Sequence, residues 1–118
     1  MCLFGFSVKI VIQSYQCWKS GKYQAFDHGP IKNTELYGQP TPLNYLDNYN
    51  LIDVPIHFFV SLSDTLIRAD DIVEHYRTLR RHNKELAYLK VFEGYSHIDF
   101  TSHHTMMSEI LQTMKKPP

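Results

Sequence analysis

Residues 54–60, VPIHFFV, form a short run that is apolar on both faces of an extended chain, and this run constrains the fold most. A strand of that kind must be covered on both sides. That is the situation of a central strand in an α/β sheet, with helices above and below. Pro55 fits because a missing N–H is tolerated where a strand begins. The run ends in the loop Ser61, Leu62, Ser63, Asp64. Residues 70–82 then predict a helix, with Ile72, Val73, Tyr76 and Leu79 on one face. Asp70 and Asp71 open it and Arg77, Arg80, Arg81 and His82 close it, which suits the helix dipole; Asn83 is a plausible C-terminal cap. Residues 86–92 read as a second strand and 93–97 as a loop. A last helix is expected over 102–115, with Met106, Met107, Ile110, Leu111 and Met114 on one side. Lys115 and Lys116 close it, and Pro117 and Pro118 stop it. The order βαβα implies an α/β fold with two parallel strands joined by a crossover helix. Two strands are few for such a sheet, so this half reads as the end of a sheet whose beginning lies elsewhere.

The first half has a different character. Residues 13–53 carry Gly21, Gly29, Pro30, Gly38, Pro40, Pro42 and four asparagines. Turn formers at that density break helices and strands alike, and a loop-rich excursion is expected. Its tyrosines (15, 23, 37, 45, 49) are expected to pack under that loop. Residues 1–12 are mostly apolar but lack the basic start and the small-residue cleavage site of a signal peptide. Their β-branched Val8, Ile10, Val11 and Ile12 favour a strand or a buried segment.

Composition removes several function classes. Twelve basic residues balance twelve acidic ones among 118, which argues against nucleic acid or an anionic membrane surface as the main partner. No apolar run approaches the ~18 residues of a transmembrane helix. Two cysteines, Cys2 and Cys17, make neither a disulfide framework nor a zinc motif. His103 and His104, with His97 and Asp99, are a poor metal set, because adjacent helical residues point to different faces; no metal is expected.

The chemistry-bearing residues lie after the two strands. In open α/β sheets, functional groups gather in loops at the carboxyl ends of the strands. The first such loop carries Asp64 and the second His97. Neighbouring parallel strands lie about 4.8 Å apart, so the two side chains can meet. A carboxylate bonded to one imidazole nitrogen fixes the tautomer and stabilises the imidazolium that forms when the other nitrogen takes a proton. Taken singly, Asp64 also suits a turn or cap, and a lone His is usually structural. Asp99 is expected to cap the last helix, and His28, His57, His75 and His82 are expected to be structural or exposed.

Several motifs in a fixed order make the resemblance specific. SGKYQAFDHG (20–29), LYGQPTPLNY (36–45), NLIDVPI (50–56), Ser63 and Asp64 with Leu66, and GYSHIDF (94–100) with its H-x-D-F core together resemble the C-terminal portion of the acid lipases. These are the gastric and lysosomal type of α/β-hydrolase. The resemblance implies that residues 54–118 are the C-terminal βαβα part of an α/β-hydrolase sheet. Residues 14–53 would be a loop-rich remnant of the cap region and its return, and residues 1–13 a divergent N-terminal segment. It implies a lipid-ester hydrolase of Ser-His-Asp type, with Asp64 as the catalytic acid and His97 as the base. No cofactor is implied, the substrate is a lipid ester, and the setting is secreted or lysosomal. The nucleophile of such enzymes sits in a G-x-S-x-G elbow, and these 118 residues contain none. Ser61 and Leu62 replace the glycines expected before the acid, and Arg68 and Ala69 replace an expected Asp-Pro. The other reading is a truncated, non-catalytic binding or decoy module that pairs through an exposed sheet edge.

Overall fold

The computed structural model describes residues 7–115. Cys2, the first part of the expected N-terminal strand, and the stop at Lys116, Pro117 and Pro118 lie outside the described residues. The chain forms two compact units that meet in sequence between Asn48 and Tyr49, within a 3₁₀ turn, Leu46–Leu51.

In the first unit, helix α1 spans Val8–Ser20. This overturns the expected strand or buried segment over residues 8–12, since Val8, Ile10 and Val11 are all exposed. Preference for strand is a matter of fitting a pleated, half-buried surface. Among the described residues no strand pairs with the segment, and local helical hydrogen bonding prevails. α1 ends where Gly21 turns left-handed at φ 66° and its N–H bonds the Cys17 carbonyl. The loop-rich expectation for 13–53 is corrected in a second place. Gly29 and Pro30 do not interrupt a helix; they begin one. Helix α2 spans Pro30–Tyr37, with Pro at its start and left-handed Gly38 just past its end. The missing proline N–H is harmless in a first turn, where no intrahelical partner exists.

Side-chain amides hold this unit together. Gln16 bonds both backbone groups of Asp27, accepting its N–H at 2.9 Å and donating to its carbonyl at 3.0 Å. Asn33 is 1% exposed. It accepts the His28 N–H and donates to the Asp27 carboxylate and the Pro40 carbonyl. Residues around Gln24 and Asn44 pair as a short antiparallel bridge. The tyrosines are used as expected in part: Tyr37 donates its hydroxyl to the Phe26 carbonyl, and Tyr23 packs on Tyr45.

The second unit is mixed α/β. Strands β1 (Ile56–Ser61) and β2 (Ala87–Phe92) pair in parallel, from Ile56 opposite Ala87 to Ser61 opposite Phe92. Helix α3, Ala69–His82, connects them and packs on one sheet face, where Phe58 meets Tyr76 edge-on. On the other face Lys90 reaches Glu109 of helix α5, His104–Lys115, at 3.1 Å. The buried apolar residues are Val60, Leu79, Ala87, Phe92 and Met106. Asn83 does follow α3, but in extended conformation; its side chain accepts the Glu85 N–H and starts the turn into β2.

The expected helix over 102–115 is corrected. The helical chain starts earlier, as α4, Asp99–Ser102, breaks at extended His103, and resumes as α5. Phe100 packs edge-on against Phe92 and the His103 ring packs edge-on against Tyr95. These two aromatic anchors pull α4 onto the end of β2 and account for the break. Of the methionines expected on one side, Met106 is fully buried, whereas Met107 and Met114 are exposed.

Candidate functional site

β1 and β2 end side by side, at Ser61 and Phe92, and the loops that leave them run to Asp64 and His97. The Leu62 N–H still bonds the Phe92 carbonyl, at 3.0 Å, so the strand ladder extends one rung into the loops. The structure brings the two sequence-predicted residues together: Asp64 Oδ2 lies 2.8 Å from His97 Nδ1.

Asp64 is held from both sides. Its other oxygen, Oδ1, accepts the N–H groups of Leu66 at 2.9 Å and Ile67 at 3.0 Å. The Asp64 side chain is 6% exposed and that of His97 is 43% exposed. Burial alone would raise the Asp64 pKa. The Ile67 N–H, the His97 imidazole and the Leu66 N–H outweigh it, and the carboxyl is held below its ordinary value. An ionised carboxylate only accepts hydrogen bonds. His97 Nδ1 is therefore the donor in this contact, and in the neutral ring that leaves the lone pair on Nε2. Beside the pair lies a cavity of about 240 Å³ whose lining includes Val60, Ile67, Ile72 and Phe100. Asp64 and His97 themselves belong to this mostly apolar lining.

The neighbouring residues fall into place differently than their sequence suggests. Arg68 pairs with Asp70 at 3.3 Å, an exposed pair, and not with Asp64. Asp99 does not cap the last helix. It is the first residue of α4, and its carboxylate turns back to accept the N–H of Ser96 at 2.6 Å and its hydroxyl at 2.9 Å. It thereby fixes the residue beside His97. Sequence reasoning missed the part played by Ser61 and Ser63. Ser61 Oγ donates to the Tyr95 carbonyl at 2.6 Å, and Ser63 Oγ accepts the Gly94 N–H at 3.0 Å. The only available signal was two short hydroxyl residues immediately before the acid. Among the described residues, no group of three or more His, Cys, Asp or Glu is placed to hold a metal ion. No described helix is long and apolar enough to cross a membrane.

Comparison with known proteins gives the site a context. The chain is 37% identical over 97 residues to a gastric triacylglycerol lipase of Bos taurus, a match covering 81% of this chain and 23% of that protein. It is 34% identical to the human gastric triacylglycerol lipase, with the same coverage. It is 28% identical over 108 residues to triacylglycerol lipase 1 of Arabidopsis thaliana, covering 92% of this chain and 26% of that protein. The chain spans about a quarter of the length of these relatives. No family model and no solved structure gives a significant match. By these partial matches, the chain is related to the acid lipase family.

Proposed function

We propose that these 118 residues are the C-terminal part of a lipid carboxylic-ester hydrolase of acid-lipase type, and that Asp64 and His97 are its catalytic acid and base. The βαβα unit would be the end of an α/β-hydrolase sheet, and the first unit a remnant of the cap region. The substrates are acylglycerols or steryl esters, and the setting is secreted or lysosomal. One observation carries the reading: a buried carboxylate and a half-exposed imidazole, 2.8 Å apart, at the carboxyl ends of adjacent parallel strands. The names of the relatives, triacylglycerol lipases, support the acylglycerols; the steryl esters rest on the family resemblance.

The chemistry follows from the tautomer. A serine outside these residues would attack the ester carbonyl as His97 Nε2 takes its proton. The imidazolium, stabilised by Asp64, then protonates the departing alcohol, and the acyl-enzyme is cleared by a water that His97 activates in the same way. That the serine lies elsewhere is supported by the lack of G-x-S-x-G in these residues and by the quarter-length match.

The test is to isolate the native polypeptide with an antibody against residues 54–116 and treat it with a fluorophosphonate, which labels activated serines. The expected species is several times heavier than 13.9 kDa and is labelled. In it, Asp64→Asn should lower kcat by about 10⁴-fold with the protein still folded, and His97→Gln should abolish labelling. A sole species near 13.9 kDa that resists the probe would overturn the reading. It would favour a non-catalytic binding or decoy module, for which the lack of G-x-S-x-G is the supporting observation.

A further inference from the structure

We propose that Ser61 and Ser63 are positioning residues that fasten the histidine loop to the acid loop, so that His97 meets Asp64 through Nδ1. The inference rests on the acid–base reading of that pair and extends it to the residues that hold it in place. Beyond the Leu62 rung, the hydrogen bonds that join the two loops are the Asp64–His97 contact itself and the two serine ties. Ser61 is the last residue of β1 and is 1% exposed. Its hydroxyl donates to Tyr95, two residues before His97, and also accepts the Ser63 N–H at 3.3 Å. Ser63 in turn accepts the N–H of Gly94, which sits at φ 77° in the left-handed region. The loop is thus pinned at residues 94 and 95 by the serines and at Ser96 by Asp99, and His97 follows directly. A buried hydroxyl has fixed geometry because water cannot compete for its partner. Ser61 stands where the resemblance leads one to expect a glycine. A glycine has no hydroxyl to give, so this chain makes its own brace.

The experiment uses the native polypeptide that carries these residues, labelled with ¹⁵N. Long-range imidazole spectra give the His97 tautomer, and saturation transfer gives the exchange rate of its Nδ1 proton with water. Melting curves are recorded in parallel. Unaltered His97 should be protonated on Nδ1, with slow exchange. Ser61→Ala should raise that exchange about tenfold, the scale expected for losing one hydrogen bond, and should average the two tautomers. Ser63→Ala should act in the same direction but less, and exposed Ser20→Ala, in the first unit, should leave His97 unchanged. Folded Ser61 and Ser63 variants with unaltered exchange would overturn the proposal. Should Ser61→Ala not fold, Ser63→Ala alone decides, because its side chain is exposed and its loss opens no cavity. Failure of the acid–base reading shows separately: His97 of the unaltered chain would then lack the Nδ1 proton.

Discussion

The two units enclose different kinds of side chain. Among the described residues of the first, the fully enclosed side chain is an amide, Asn33, joined by Gln24 and the small Ala25. In the second, Leu79 and Met106, each 0% exposed, have Val60 and Phe92 around them, and the buried hydroxyl of Ser61 lies at the sheet end. One unit is latched by directional bonds between side chains and backbone. The other is packed by apolar burial under a parallel ladder. A latch can hold irregular chain in a defined shape, because it satisfies the backbone groups that no ladder reaches. A packed core needs periodic structure, which also aligns loops at the sheet end. It is accordingly the second unit that brings Asp64 to His97.

The contrast predicts unequal sensitivity. Leu79→Ala should cost the second unit about 2–5 kcal/mol, the range for emptying a fully buried leucine site. Hydrogen exchange should show the β1 and β2 amides losing protection while the His28 amide, held by Asn33, keeps its own. Equal loss in both would mean that they unfold as one, and the comparison would fail.

The same contrast governs what could be read from sequence. Residues 54–92 were legible because packing leaves a period. Ile72, Val73, Tyr76 and Leu79 recur at helical spacing, and the predicted strands lie within one or two residues of the observed ones. Topology showed where Asp64 and His97 could meet, but taken singly each also suited a turn or a structural role, and the resemblance to the acid lipases is what singled them out. The latch leaves no such trace. Nothing in the spacing of Gln16, Asp27, Asn33 and Pro40 shows that they bond one another. Val8 to Ile12 were misread because their β-branched side chains suggest a strand, yet no strand among the described residues pairs with them. The break at His103 was hidden because its cause is tertiary: Phe100 and His103 are anchored by Phe92 and Tyr95.

A second substitution tests the latch itself. Asn33→Ala removes the acceptor of the His28 N–H and the donor to both Asp27 and the Pro40 carbonyl. The partners left behind lie on exposed residues and can turn to water, so the expected cost is that of the lost hydrogen bonds, about 0.5–1.5 kcal/mol. The expected result is a lower melting temperature and rapid exchange of the His28 amide. A cost under about 0.5 kcal/mol would mean that water enters and replaces the amide, and the unit would be less latched than its bonds suggest.

The smallest effect sharpens the comparison most, because Asp27 in the first unit and Asp64 in the second are each held below their ordinary pKa, by different devices. Asp27 is lowered chiefly by the Asn33 side chain, then by the Gly29 N–H. Asp64 is lowered against the opposing effect of its burial, by the Ile67 N–H, His97 and the Leu66 N–H. For both, the unfolded chain binds more protons than the folded one between the folded pKa and the unfolded value of about 3.9. Stability from each is therefore complete above the unfolded value and is lost as pH falls through the folded one. Carboxyl ¹³C titration should show both midpoints below 3.9. Asn33→Ala should move the Asp27 midpoint up and leave Asp64 where it is, whereas His97→Gln should move Asp64 and leave Asp27. A substitution in one unit that moved the midpoint in the other would show that the two devices share an electrostatic environment, and the latch and the packed unit would no longer be separable.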